Sequence, residues 1–447
     1  MPLPPLNDTI TAIATAPGTG AVGIVRLSGP QSYEVADAIF TPKRGTPVSE
    51  LPAGRVVYGR IYQDGELIDE SLLLTFRAPH SYTAEDVIEF QTHGGPAVLR
   101  AVLDLCVQHG ARLAQPGEFT LRAYLNGRLD LVQAEAVLDL VNAQTDSARR
   151  SAALGLTKAL SEQLDLIQTD LTGVYGNLQA VFDYPEEGVP ESDFVTPLER
   201  AKARIEQLLK TAKAGNIARR GAKLALIGRP NAGKSSLLNA LLGYQRSIVS
   251  DIPGTTRDYL EAPLDIGGVP VTAIDTAGIR DTEDTIEASG VTAAKDIAAG
   301  ADLSLLLLDV SEPLGDEDMA LVGGLEPSRT LVVASKTDLP NVWITPLSPE
   351  PLPVSAHTGD GLDALQQAIR DRLIGDAGSS ELWLSSERHI DTLRTVHQLI
   401  DQALGAPDDL AALDLADALR HLSAITGRGD VAEETLAHIF ANFCVGK

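Results

Sequence analysis

Between residues 228 and 235 the chain reads Gly-Arg-Pro-Asn-Ala-Gly-Lys-Ser, a GxxxxGK[ST] spacing that directly follows the apolar run Leu224 to Ile227. Glycines at such positions let successive backbone N–H groups turn inward around phosphate oxygens. Lys234 would supply a cation for the β- and γ-phosphates and the Ser235 hydroxyl could ligate Mg²⁺, with Asn231, Ala232, Gly233 and Ser236 completing the nucleotide wall. Average residue frequencies give an expected chance count on the order of 0.02 in a chain this long.

The companions that a guanine-nucleotide hydrolase needs follow in order. In the Pro- and Gly-rich segment Ser250 to Asp258, Thr255 and Thr256 suit a first switch, with Thr256 reaching Mg²⁺ and sensing the γ-phosphate. Asp275-Thr276-Ala277-Gly278 ends an apolar run, so Asp275 can hold the magnesium shell and the Gly278 amide can meet the γ-phosphate. Ser335-Lys336-Thr337-Asp338 stands where a guanine-reading N-K-x-D is expected. Asp338 can accept from both N1–H and the exocyclic amine of guanine, and it would face the wrong groups on adenine. Ser335 replaces the usual Asn, whose amide braces the base and the loop; that touches the tightness of guanine binding, not the choice over adenine. Ser355-Ala356 closes the set as a backbone contact to the base oxygen. Ile279 stands where some hydrolases of this kind carry a water-orienting Gln, and an isoleucine cannot position water. Hydrolysis therefore needs another residue to hold the nucleophile and another cation to offset the charge an arginine finger would otherwise meet. Lys234 and Arg280 are candidate catalytic residues.

The elements that position these residues can be read from texture. From Lys223 to about Ile374 apolar strand-type runs (224–227, 271–274, 303–310, 330–334, 353–355) alternate with helical patterns, which predicts a mostly parallel sheet covered on both faces. Leu121 to about Ala218 is Ala- and Leu-rich, with Ala134, Val137, Leu138 and Val141 at helical spacing. Helical texture returns after Arg388, with Ile390, Leu393, Val396 or His397, and Ile400 on one stripe. The expected architecture is an α/β unit at 221–378 inserted into a helical domain whose halves lie at 121–220 and 379–447. Residues 1–120 read as a mixed α+β domain in which Asp64-Gly65 turns a hairpin between Val56–Tyr62 and Ser71–Phe76.

Composition bounds the function. Of 447 residues 44% are hydrophobic and 22% charged, which excludes a wholly disordered or fibrous chain. Sixty-one acidic against 36 basic residues give a net charge of -25, which repels a phosphate backbone at long range, so any RNA work must be local or delegated to a partner. Two cysteines, Cys106 and Cys444, build neither a disulfide framework nor a Cys-rich metal site, and a reducing cytoplasm fits best. The longest apolar run, Leu303 to Leu308, is too short to span a bilayer, so no membrane association is expected.

The phosphate loop with Asn231, the Gly254-Thr-Thr-Arg-Asp258 segment, Asp275-Thr-Ala-Gly278 and the terminal Phe443-Cys-Val-Gly-Lys447 resemble the tRNA modification GTPase MnmE (TrmE) family. Gly20 to Gly29, Glu85 to Pro96 and Pro116 to Asp130 extend the resemblance through the N-terminal region. It implies a folate-binding N-terminal domain, a discontinuous helical domain and an inserted P-loop G domain that dimerises in a potassium-dependent way. By that resemblance Asn231, Ser250, Ile252 and Thr255 hold K⁺, and Glu287 orients the attacking water through another water. Arg26, Glu89, Arg128 (where the family often has Lys) and Lys447 surround 5-formyl-tetrahydrofolate or a related one-carbon folate. The implied activity is GTP hydrolysis by a homodimer, joined by an FAD-dependent MnmG (GidA)-like protein in a heterotetramer. The complex adds a carboxymethylaminomethyl-type group at wobble uridine 34 of certain tRNAs.

Some residues keep two readings. Glu287 could be a solvated carboxylate at a helix start, Arg26 and Glu89 exposed strand charges, and His93 a turn or packing histidine. Cys444 is either a functional thiol near the folate or a small apolar residue packing the last helix, and Cys106 reads as core. Rival functions are a ribosome-assembly GTPase or a membrane-anchored signalling GTPase. Residues 388–447 carry five Lys/Arg against nine Asp/Glu, which disfavours a basic RNA-binding tail, and Gly446-Lys447 fits a prenylation box poorly.

Overall fold

The computed structural model describes residues 4–183, 193–245, 261–275, 289–343, 346–375, 382–429 and 431–446. Two compact units form, residues 1–138 with 420–447, and residues 139–419.

The first unit is built on a seven-stranded sheet. Its strands are β1 (Ile10–Ile13), β2 (Gly20–Ser28), β3 (Phe40–Pro42), β4 (Val56–Gln63), β5 (Glu66–Phe76), β6 (Val87–Gly94) and β7 (Arg112–Leu113). They lie in the order β3-β4-β5-β6-β2-β1-β7, antiparallel except for the β1–β7 pair. Asp64 and Gly65 turn the β4–β5 hairpin with φ of 51° and 85°, a pair of left-handed residues that matches the strand twist. β5 begins at Glu66, five residues before the apolar run that announces it, because cross-strand pairing holds its polar start. Strand periodicity then separates two faces. Val25, Leu27, Ile88 and Phe90 point into a core covered by helices Ser32–Ile39 and Pro96–Gln108. Arg26 and Glu89, directly opposite each other on β2 and β6, fall on the other face. On that face Ile10, Ala12, Ala114 and Phe119 form a second small cluster against Tyr82.

In the second unit strands β8 (Ala222–Ile227), β9 (Glu261–Ile266), β10 (Val269–Asp275), β11 (Leu303–Asp309), β12 (Thr330–Ser335) and β13 (Leu352–Val354) form one sheet, ordered β13-β12-β11-β8-β10-β9. All its pairs are parallel except β9–β10. Burial on both faces explains the unbroken apolar runs. Leu224, Leu226, Leu305 and Leu307 enter one core, and Ala225, Ile227, Leu306 and Leu308 the other. The edge strand β9, with its polar Glu261 and Asp265, escapes the apolar pattern.

Helical segments from both sides of the α/β region pack on each other, as an insertion requires. Asp170 in helix Ala159–Asp183 accepts from Arg200 and Arg204 of helix Val195–Lys210. The latter is tied to helix Glu387–Gly405 through Lys202–Asp401 at 2.6 Å and His397–Glu206 at 3.1 Å. Ile390, Leu393, Val396 and Ile400 are buried, so Val396 rather than His397 sits on the apolar stripe. The segments entering and leaving the insertion meet at Gly215 of helix Ala212–Arg220, where a Cβ would stand 1.9 Å from the Leu384 carbonyl oxygen.

Candidate functional site

The nucleotide motifs converge at the C-terminal ends of the parallel strands, where ligands of open α/β sheets bind. β8 ends at Ile227 and the loop turns at Gly228, φ 146°. A Cβ there would lie 2.5 Å from the Leu307 carbonyl oxygen of β11, so the strand packing itself demands glycine. Asn231 and Gly233 take left-handed φ values of 65° and 95°, and helix Lys234–Gln245 begins immediately afterwards. This curls the backbone into the concavity that anions use. Lys234 is buried and its Nζ donates to the Gly228 and Arg229 carbonyls at 2.7 and 2.9 Å, placing the ammonium across the loop. Ser235 and Ser236 are exposed on the first turn.

Next to the loop lies a cavity of about 200 Å³ lined by Gly233, Ser236, Ser335, Lys336, Asp338 and Ala356 among others. Gly233 and Ser236 of the candidate phosphate set and Lys336, Asp338 and Ala356 of the candidate base set therefore line the same cavity. Lys336 sits at φ 60° and pairs with Asp309 at the end of β11, 2.6 Å away. Burial pushes the Asp309 carboxyl up, but the Lys336 and Ser311 hydrogen bonds outweigh it and hold the group below its usual range. The buried Ser355 hydroxyl donates to Asp338 Oδ1 at 2.6 Å and accepts from the Thr358 N–H at 3.1 Å. The first of these bonds holds the exposed Asp338 carboxyl below the usual carboxylate range, keeping it an acceptor at neutral pH. Ser335, standing for the usual Asn, still reaches the loop: its Oγ lies 2.7 Å from the Ala232 carbonyl oxygen and 3.1 Å from that of Leu308.

Asp275 ends β10 beside Leu226 of β8, on the same sheet edge as the loop. The candidate residues Ser250, Ile252, Thr255, Thr256, Thr276, Ala277, Gly278, Arg280, Glu287 and Lys447 lie outside the described residues.

A second polar cluster stands in the first unit. Arg26 Nε donates to Glu89 Oε1 at 2.8 Å, and the two side chains are 19% and 14% exposed, so neither is the free strand charge of the plainer reading. The Arg26 guanidinium lies 5.6 Å from the ring centroids of both Tyr82 and Phe119, and that of Arg128 lies 5.0 Å from Tyr82. Two cations and a carboxylate thus gather round one aromatic ring. Tyr82 and Phe119 carry no spacing signal in the sequence. The chain's end arrives here too: Arg26 Nη1 donates to the Gly446 carbonyl at 3.4 Å, and Gly446, φ 98°, has no room for a Cβ beside the Ile13 carbonyl. Cys444 is exposed, which disfavours its packing role, whereas Cys106 is fully buried and its thiol is pushed up to about 12 by burial. His93 is exposed, with Nδ1 2.7 Å from Asp69 Oδ1.

Comparison with known proteins identifies the family. The GTP-binding protein TrmE N-terminus family matches residues 9–128, and the MnmE helical domain family matches residues 131–444. A tRNA modification GTPase MnmE of Thermus thermophilus is 50% identical over 444 residues, covering 99% of this chain and 100% of its own. One of Chloroflexus aurantiacus is 44% identical over 457 residues, covering 99% and 100%. The chain belongs to the tRNA modification GTPase MnmE family. As a member of the MnmE family it is a GTP hydrolase, and the rival classes of GTPase fall away. Within this member of the family Gly233, Ser236, Lys336, Asp338 and Ala356 line one cavity, and Arg26, Glu89 and Arg128 gather round Tyr82. Among the described residues no helix is long and apolar enough to cross a membrane.

Proposed function

We propose that this chain hydrolyses GTP to GDP and phosphate in the service of tRNA modification, as a K⁺-dependent homodimer in the cytoplasm. With an FAD-dependent MnmG-like partner it adds a carboxymethylaminomethyl-type group at uridine 34 of certain tRNAs. The proposed division runs 1–120 for folate binding and dimerisation, 121–220 and 379–447 for the helical domain, and 221–378 for the G domain. The observation that carries the nucleotide assignment is the cavity shared by Gly233, Ser236, Lys336, Asp338 and Ala356. Family membership carries the tRNA step.

The donor chemistry fits the implied ions. Hydroxyls at Ser235 and Thr256 suit Mg²⁺, and an amide oxygen at Asn231 with oxygens from Ser250, Ile252 and Thr255 suits K⁺, since hard cations take oxygen ligands. The left-handed Asn231 lies within the phosphate-loop turn, where such a cation would offset phosphate charge. Glu287 would orient the attacking water, a role Ile279 cannot fill. Lys336 and Asp338 hold the base, and Lys234 and Arg280 meet the phosphate charge.

The N-terminal cluster fits a folate equally well. A carboxylate at Glu89 accepts pterin N–H groups, Tyr82 offers a stacking face, and Arg26, Arg128 and Lys447 meet an anionic tail. The folate supplies a one-carbon unit. GTP hydrolysis drives opening and closing of paired G domains rather than carbon chemistry.

Two measurements test the proposal. Rates in K⁺ and Na⁺ are compared for the wild type and for Glu287→Ala; equal rates in both salts and an undiminished variant rule out the hydrolytic scheme. Nucleoside analysis of tRNA from a deletion strain tests the modification step, which is wrong if position 34 is unchanged.

A further inference from the structure

The hydroxyl of Ser335 has one proton and lies between two backbone acceptors, Ala232 O at 2.7 Å and Leu308 O at 3.1 Å. Ser335 is 7% exposed and Ala232 3%, so water does not replace the bond that the hydroxyl gives up. The same residue lines the base cavity with Asp338. We propose that position 335 of this chain serves the phosphate loop alone, so that the N7 of a bound guanine receives no hydrogen bond from it. This rests on the guanine-nucleotide reading of the cavity.

Guanine N7 is an acceptor only, and the lone pairs of Ser335 Oγ are acceptors as well, so a bond between them requires the single hydroxyl proton. Turning that proton to the base strips a buried carbonyl of its partner, which costs more than an additional neutral hydrogen bond returns. The short side chain favours the loop further. A Cβ on Gly233 would stand 4.0 Å from both Cβ and Oγ of Ser335, so the loop backbone passes directly over this residue. An asparagine carries two amide protons and can serve loop and base together; serine must choose. Recognition then divides into two edges. Asp338, held as a carboxylate by Ser355, reads N1–H and the exocyclic amine and selects guanine, while the N7 edge goes unread.

The test uses the full-length protein with Mg²⁺ and K⁺ and compares GDP, 7-deaza-GDP (a C–H in place of N7) and ADP by titration calorimetry. The wild type is expected to bind GDP and 7-deaza-GDP within about twofold and ADP at least a hundredfold more weakly. Ser335→Asn should then prefer GDP over 7-deaza-GDP by roughly fivefold, the value of one neutral hydrogen bond. A wild type that binds 7-deaza-GDP fivefold or more weakly than GDP overturns the proposal. Equal binding of ADP and GDP overturns the guanine reading itself, and the proposal with it. If Ser335→Asn does not fold, the wild-type comparison still decides.

Discussion

Replacing Ser335 with alanine isolates the link between β12 and the phosphate loop. The change removes one oxygen from a 7% exposed residue and leaves the Ala232 carbonyl, 3% exposed, without its side-chain partner. An unsatisfied buried acceptor costs about 1–3 kcal/mol, equivalent to roughly a 5- to 150-fold change in an equilibrium constant. The cost must appear in one of two places. If the loop relaxes when free and is pulled back by the nucleotide, it appears in GTP affinity: KM rises by that factor while kcat at saturation stays within about twofold, because no group that touches the reacting atoms is altered. If the loop keeps its shape, the cost remains in the native state and lowers the midpoint of thermal unfolding by roughly 2–4 °C per kcal/mol for a unit of this size. Steady-state GTPase kinetics and calorimetric melting of one preparation measure both. A variant with wild-type KM and wild-type melting temperature shows that the 2.7 Å bond contributes nothing and refutes the reasoning.

Gly361→Ala places a Cβ 2.0 Å from the Pro353 carbonyl oxygen at φ 79°, so it should destabilise the turn bearing Ser355 by about 1–3 kcal/mol in urea unfolding and weaken GDP binding with it. A variant of unchanged stability would mean the turn yields freely. Arg26→Ala removes the Glu89 bond and the cation beside Tyr82 and Phe119. It should abolish calorimetric binding of 5-formyl-tetrahydrofolate while leaving GTP hydrolysis intact, and retained folate binding would move that site elsewhere. The Asp302 carboxyl is raised by burial but brought below its usual range overall by the Arg220 and Lys223 N–H bonds. Its folded pKa is therefore depressed, so its stabilisation is present above the unfolded value of about 3.9 and is lost as pH falls through the folded value. Urea midpoints measured from pH 6 to pH 3 should drop less steeply for Asp302→Asn than for the wild type, and identical slopes would show that the ion pair contributes nothing there.

Legibility in the sequence followed the locality of each cause. The parallel sheet was readable because burial on both faces leaves apolar runs such as Leu303 to Leu308, and the phosphate loop because its glycines are required by backbone geometry within eight residues. β9 was not readable: as an edge strand its Glu261-Ala-Pro segment satisfies only one neighbour, β10. The hairpin start at Glu66 carries no sequence signal because pairing with Gln63, not hydrophobicity, sets it. Arg26 and Glu89 were legible as candidates only through family resemblance, since their meeting depends on the β2–β6 register across 63 positions. Tyr82, Phe119 and Asp309 owe their roles wholly to tertiary placement, and nothing in their spacing announces them.

Acidity gives the two sites a common physical logic. A chain of net charge -25 sets up a field that repels anionic ligands, so each cation that meets one has to be held in place and act at short range. Lys234 is fixed by two loop carbonyls and Arg26 by Glu89, which limits the conformational entropy lost when a ligand is bound. The anchors are chosen differently. Lys234 donates to two backbone carbonyls of its own loop, whereas the Glu89 carboxylate offsets part of the charge of Arg26 and leaves a directional donor beside an aromatic ring. The first arrangement suits a polyanion; the second suits an anionic group carried on a flat, polar ring, where direction matters as well as charge.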